Sequence, residues 1–393
     1  MEFLFTSANS KLSSGRSAVQ DQENGSDRVI LVSIIMLMIF GVLAVYSSIY
    51  YFAESNQASA SSMIVEHVVK LLVAFVVMLI ASKFDYHQVT RFSRLALIIS
   101  WLALIAMMTF GEEVFGAQRS LSLGFFSFQP ASLASIALLV HLSVLISNKQ
   151  EYIKDFQRAF LPIMIYILIT CTLIGIEDFS SAALLLVLSM LLMFVGRVNL
   201  LHLGGLCLIG LLGGALLVMQ SPERQTRITQ HLKQIKNIEA ENFSLYEGYQ
   251  TQQAQIAIAR GNVTGVGIGQ STQRAFLPAP YNDFIFAIIA EEYGLIGAIG
   301  LILIFAIILI RGLAYIARRA PDSLGTLLAV ASTSFIVLYG FVNAGVASGL
   351  LPVTGLPMPF VSYGGSSLVF AGLMVGVLLN VSKYSSANSK RKS

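Results

Sequence analysis

Asp283 closes the run Pro278, Ala279, Pro280, Tyr281, Asn282 and stands directly ahead of the apolar stretch from Phe284 to Ile289. The prolines stop any helix before this point. The carboxylate therefore lies where the chain enters a long apolar helix, whose free first-turn amides stabilise an anion. A carboxylate so placed can take a proton from a hydroxyl nucleophile. Equally, Asn282 or Asp283 can be an ordinary helix N-cap. Glu291 and Glu292 follow eight and nine residues deeper, and carboxylates at membrane depth are costly unless they face a cavity or a partner.

Upstream, Arg224, Arg227, Lys233 and Lys236 interleave with Ile228, Leu232, Ile235 and Ile238 at spacings of three and four. On a helix the apolar four form one stripe and most bases face away. Two readings stand: a helix lying in the membrane interface where cations meet lipid phosphates, or a surface helix packed on the protein. Gln250, Gln252, Gln253 and Gln255 offer neutral hydrogen-bonding groups suited to sugar hydroxyls. Residues 261–271, GNVTGVGIGQS, lack the Lys and Ser/Thr ending of a phosphate-binding P-loop. Nucleotide binding is rejected, and the glycines serve either a close backbone approach or simple turns.

The elements that must position these groups follow from composition. With 55% hydrophobic and 12% charged residues and a mean hydropathy of +0.75, the chain is far from a soluble domain. Apolar runs long enough to cross a hydrocarbon core fall at about 29–51, 64–82, 94–111, 130–147, 160–176, 180–196, 200–219, 284–312, 324–344 and 366–382. The expected fold is an all-α polytopic membrane protein of about ten transmembrane helices. A large extracytoplasmic loop, 220–283, separates helices 7 and 8. A second outer segment, 345–365, is uncharged yet holds Pro352, Pro357 and Pro359 and several glycines. Irregular backbone at membrane depth survives only when buried in protein or lining a wet cavity, so this segment reads as a re-entrant loop before helix 10.

With both termini inside, cytoplasmic segments hold 17 of the 25 basic residues, as the positive-inside rule requires. Residues 1–28 read as a disordered cytoplasmic tail, 29–382 as the transmembrane domain and 383–393 as a basic tail. The net charge of +4 comes from these inner anchors and argues for contact with membrane lipids, not nucleic acid. Cys171 and Cys207 both fall within spans, which argues against a disulfide framework.

Taken together, the residues resemble the SEDS family (shape, elongation, division and sporulation), with the 28-residue tail closer to its FtsW-like branch. The resemblance spans nearly the whole chain. It is carried by LPAPYNDFIFAIIAEEYGLIG at 277–297 and GLLPVTGLPMPFVSYGGSS at 349–367, with GYQ at 248–250, GAQR at 116–119 and FQP at 128–130. It implies a ten-helix peptidoglycan glycosyltransferase of the bacterial cytoplasmic membrane. Such an enzyme polymerises lipid II into glycan strands on the outer side, for septal synthesis during cell division, beside a class B penicillin-binding protein and division-complex proteins. A lipid II flippase and a non-catalytic division scaffold are the alternatives.

By resemblance Asp283 is the catalytic aspartate, and Arg119, Gln129, Arg260, Ser362, Gly364, Gly365 and Ser366 bind substrate. Arg224, Arg227 and Arg274 could share the pyrophosphate charge with Arg119, and a divalent metal could join them, although no cofactor is specified. The chain departs from the family where His-Thr becomes Tyr281-Asn282, and where the Glu and Lys after Gln-Pro become Ser132 and Ser135. In the second span a basic residue gives way to Glu66 ahead of His67, with Lys70 one turn on. Glu66 and Lys70 either replace the lost charges across a shared cavity or snorkel at the outer rim.

Overall fold

The computed structural model describes residues 26–55, 60–110, 112–114, 117–122, 127–236, 248–277 and 280–390. The expected tail at 1–28 thus falls almost wholly outside the described residues. The chain is all-helical in class. Its helices are α1 Arg28–Ser55, α2 Ala60–Ala81, the short α3 Tyr86–Thr90, α4 Ser93–Phe110, α5 Pro130–Asn148, α6 Leu161–Glu177 and α7 Phe179–Val195. They continue as α8 Leu200–Met219, α9 Pro222–Lys236, α10 Tyr249–Gly261, α11 Ile285–Ile310, α12 Ser323–Ala347 and α13 Ser366–Lys390.

Among the described residues nine helices are long and apolar enough to cross a membrane, and the shorter apolar α7 lies where the sixth span is expected. Helices apolar all round are what a bundle solvated by lipid requires. One element was not expected: strands β1 Glu112–Val114, β2 Ala117–Ser122 and β3 Ser127–Phe128 form a small antiparallel sheet between α4 and α5. At the other end of the sequence, α13 runs through most of the segment expected to be a basic tail. The most central span is α12, buried along nearly its whole length, whereas α8 buries only Leu203 and Leu206 and stands at the edge.

The eighth span is broken. Gly294, with φ 68° and ψ −165°, interrupts α11, and the freed backbone groups need partners because lipid supplies none. The glycine-rich stretch provides them. Val266 and Gly267 N–H groups donate to the Glu291 and Glu292 carbonyls at 2.9 and 3.1 Å, while Leu295 and Ile296 donate to the Asn262 and Val263 carbonyls at 2.9 and 3.3 Å. This is the close backbone approach expected of the glycines: a Cβ on Gly265, whose φ is +84°, would lie 2.1 Å from the Glu292 carbonyl oxygen.

The opposite end of the bundle has its own fastening. Asp322 caps α12, accepts the Tyr86 hydroxyl at 2.9 Å and meets His87 Nε2 at 2.8 Å, while His87 Nδ1 meets Asp85 at 2.9 Å. Asp27 pairs with Arg311 at 2.7 Å beside them. Partial burial pulls the His87 pKa down, but the bonds to Asp85 and Asp322 outweigh it and leave it raised.

Two outcomes follow. Gly265→Ala should cost about 1–2 kcal/mol for the left-handed backbone alone, before the clash, and lower Tm in detergent. Gly300→Ala, with no atom within 4 Å of the new Cβ, should leave Tm unchanged or slightly higher. Because the folded pKa of His87 is raised, its contribution is full below the unfolded value of about 6.5 and fades as pH rises through the folded value. His87→Gln should therefore lower Tm more at about pH 5.5 than at about pH 8.5; equal losses at both would contradict the assignment.

Candidate functional site

Asp283 is held through its backbone. The Asn343 side-chain amide, on buried α12, donates to the Asp283 carbonyl at 3.1 Å and to the Leu356 carbonyl at 2.9 Å. Ser362 Oγ donates to the Asn282 carbonyl at 2.7 Å, and the Tyr363 N–H to the Tyr281 carbonyl at 2.8 Å. Three successive carbonyls are thus held, that of Asp283 by Asn343 of α12 and those of Tyr281 and Asn282 by the uncharged segment ahead of α13. That segment is irregular and deeply buried, with Leu356, Met358, Phe360, Val361 and Ser362 all inside, as expected of a re-entrant wall.

The helix begins at Ile285 with Phe284 as its N-cap and no side-chain capping bond. The N-cap reading of Asn282 or Asp283 is therefore corrected: Phe284 is the cap, and the Asp283 carboxylate lies one position ahead of it. Burial and then the Asp283 charge push the Tyr281 phenol up, so Tyr281 stays a proton-bearing neighbour. Its ring meets that of Tyr363 edge-on, centroids 5.6 Å apart.

Behind the wall lies a small enclosed cavity of about 40 Å³, lined by Gln129, Ser132, Asp178, Tyr339, Ser362 and Gly364 among others. Gln129 and Ser366 meet directly, the Gln129 N–H donating to Ser366 Oγ at 2.8 Å. Ser132 donates to the Gln129 side chain at 3.0 Å and Ser135 back to the Ala131 carbonyl at 2.8 Å. Ser132 is satisfied within its own cap, while Ser135 also meets the Tyr339 hydroxyl of α12. The buried carboxylate here is Asp178, in the hairpin between α6 and α7, which accepts the Ser181 N–H at 3.1 Å and its hydroxyl at 2.7 Å. Sequence reasoning missed it; the signal was a charge in a turn too short to keep it in water.

Asp178 and Leu356 also line a second, open cleft of about 850 Å³ on the other side of the wall. Its floor is apolar, with Leu184, Val187, Leu217 and Val342, and Arg224 and Arg227 stand on its rim. Arg224 is committed, donating to the Ile176 and Leu217 carbonyls at 2.5 and 3.3 Å. Arg227, Pro352 and Val353 continue into a polar chamber of about 280 Å³ with Gln230, His231, Gln250 and Thr251. Ile228 and Leu232 of α9 remain exposed, which favours the interfacial reading.

Other expected residues are placed elsewhere. Glu291, fully buried, accepts Ser271 Oγ at 2.5 Å and the Thr272 and Gln273 N–H groups at 3.2 and 3.3 Å. Arg260 lies 3.8 Å from it and bonds Thr272, so this arginine faces the glycine-rich stretch. Glu292 binds Ser47 of α1, to whose carbonyl Arg274 also donates at 2.9 Å. Both glutamates are fasteners between the outer loop and the spans.

Glu66 and Lys70 form an ion pair at 2.5 Å. They engage Tyr363, whose hydroxyl donates to Glu66 at 3.1 Å and whose ring lies 5.1 Å from Lys70 Nζ. They do not line the cavity at Ser132; the pair meets the wall at Tyr363. Arg119 falls on β2, and its side chain lies outside the described residues. Among the described residues no three His, Cys, Asp or Glu side chains gather to hold a metal ion.

A broken-helix membrane bundle with a backbone-held carboxylate and an amphipathic cleft is the class of molecule defined here, and residues 27–387 match the FtsW/RodA/SpoVE family, described as cell cycle protein. The chain belongs to that family. It is 33% identical over 372 residues to stage V sporulation protein E of Bacillus subtilis, covering 93% of this chain and 99% of that one. It is 32% identical over 385 residues to the probable peptidoglycan glycosyltransferase FtsW of the same organism, covering 93% of each. Its fold is shared with the rod shape determining protein RodA of Thermus thermophilus at a TM-score of 0.65, with 22% identity, 91% of this chain and 96% of that one. A chain from a peptidoglycan synthase complex matches at 0.69, with 23% identity, 91% of this chain and 97% of that one.

Asn343→Leu keeps the branched shape but removes both N–H donors, leaving two carbonyls unpaired at about 1–3 kcal/mol each. Its Tm should fall clearly below that of Ser348→Ala, which removes only a local helix-end bond. Equal melting would mean that water satisfies the Asp283 carbonyl.

Proposed function

We propose that the chain is a peptidoglycan glycosyltransferase that polymerises lipid II into glycan strands for cell-wall synthesis at the division septum. The observation that carries this reading is the Asp283 segment, whose carbonyls are held by Asn343 of α12 and by the re-entrant segment that walls an amphipathic cleft. In this reading the end bearing Asp283 faces outward, and the end bearing Asp27 and Asp322 is cytoplasmic, with both termini.

The cleft has the three chemistries of a lipid-linked sugar in order. The apolar floor suits a polyprenyl chain, Arg227 at the junction suits the pyrophosphate, and the glutamines, Thr251 and Tyr249 suit sugar hydroxyls and ring faces. Asp283 takes the proton of the acceptor 4-hydroxyl as that oxygen attacks the anomeric carbon of the donor sugar. The bond from that carbon to the pyrophosphate oxygen breaks, with inversion. Because pyrophosphate is a weak base it needs charge stabilisation more than protonation, so one carboxylate suffices where glycoside hydrolysis uses two.

Gln129, Ser362, Gly364, Gly365 and Ser366 belong to the wall that orients the reacting sugars, and Arg119 lies on β2 of the outer sheet that precedes Gln129. A class B penicillin-binding protein crosslinks the product beside the chain, with division-complex proteins. Asp283→Asn should cut glycan formation from purified lipid II by about 10²–10⁴ while lipid II binding persists. Arg227→Gln should raise KM more than it lowers kcat. Wild-type polymerisation by Asp283→Asn would overturn the mechanism.

A further inference from the structure

At the end of the bundle that carries Asp27 and Asp322, a cavity of about 220 Å³ opens among α2, α3, α5, α12 and α13. Its walls include Val77, Ile80, Phe84, Val140, Leu373 and Val377. The amide that reaches it, Asn380, is already satisfied: it donates to the Ser82 carbonyl at 2.9 Å and accepts the Tyr86 N–H at 3.1 Å. A space of this kind offers water no partners and stays dry, so it takes an apolar occupant.

The mouth faces outward from the bundle, since Ile80, Phe84 and Val89 at its edge are about half exposed. In a membrane protein that direction is the acyl region of the bilayer. Cations flank the mouth in the chain. Lys83 sits between the wall residues Ala81 and Phe84, and Arg91 follows the wall residue Thr90. Both are exposed and neither has an ion-pair partner among the described residues. The nearby acid on the same turn, Asp85, is engaged by His87.

We propose that this cavity is a structural site for an anionic phospholipid, with one acyl chain inserted between α2, α5 and α13 and the headgroup phosphate held by Lys83 and Arg91. An anionic headgroup suits the paired cations near the interface, and the tail fills volume that would otherwise be void. The lipid would staple α3, and with it the Tyr86 and His87 bonds to Asp322, onto the bundle. This inference does not depend on the chemistry at Asp283.

The test uses the full chain in vesicles of equal phosphatidylcholine and phosphatidylglycerol, with a trace of phosphatidylglycerol bearing a photoreactive group near its acyl terminus. Adducts are expected at Val140, Leu373 or Val377, and Val140→Trp should reduce them at least about tenfold by filling the space. Lys83→Gln with Arg91→Gln should leave tail labelling in place but abolish the preference over a phosphatidylcholine probe. Adducts confined to outward residues such as Phe92 and Leu95, or equal labelling by both probes in the unmodified chain, would overturn the proposal. Should Val140→Trp not fold, adduct mapping on the unmodified chain decides the question alone.

Discussion

Everything in this molecule depends on how backbone polar groups are paired where helices stop inside an apolar solvent. Lipid offers no hydrogen bonds, so each break must carry its own partners. Two breaks matter. At Gly294 the eighth span opens and is closed by the chain from Asn262 to Gly267. At 349–365 the chain descends without forming a helix and is closed by Asn343, Ser362 and the carbonyls of 281 and 282. The first break anchors the outer loop; the second positions the carboxylate.

This arrangement fixes the Asp283 segment through its main chain. Asn343, Ser362 and Tyr363 hold the carbonyls of residues 281–283 in succession. Glu291 and Glu292, by contrast, spend their carboxylate oxygens on anchoring the loop. Asp283 thus stands at the helix entry, and the two glutamates deeper in the span are fasteners.

Much of this was legible in the sequence because the constraints are local. Apolar run length reveals the spans, proline reveals the helix start after Pro280, and an uncharged run of proline and glycine reveals the re-entrant wall. What stayed hidden depends on pairings distant in the chain. No periodicity tells that Gly265 rests on Glu292, that Asn343 holds Asp283, or that Glu66 and Lys70 brace Tyr363. Asp178 was overlooked because one acid in a hairpin looks like a solvated turn, although Leu356 and Asp178 together join the two cavities. Nor does the sequence tell that Arg260 faces Glu291, which lies on another element. The charges absent at Ser132 and Ser135 leave no open wound, since both hydroxyls bond within their own helix turn or its cap.

The central claim is that this geometry forms a glycosidic bond and does not merely bind or move a lipid. The direct measurement is incubation of the purified chain with labelled lipid II, followed by separation of products by length. The account predicts a ladder of glycan strands with release of polyprenyl diphosphate in proportion to the bonds made. Lipid II recovered intact, or carried across a vesicle membrane with no new glycosidic bond, would contradict it.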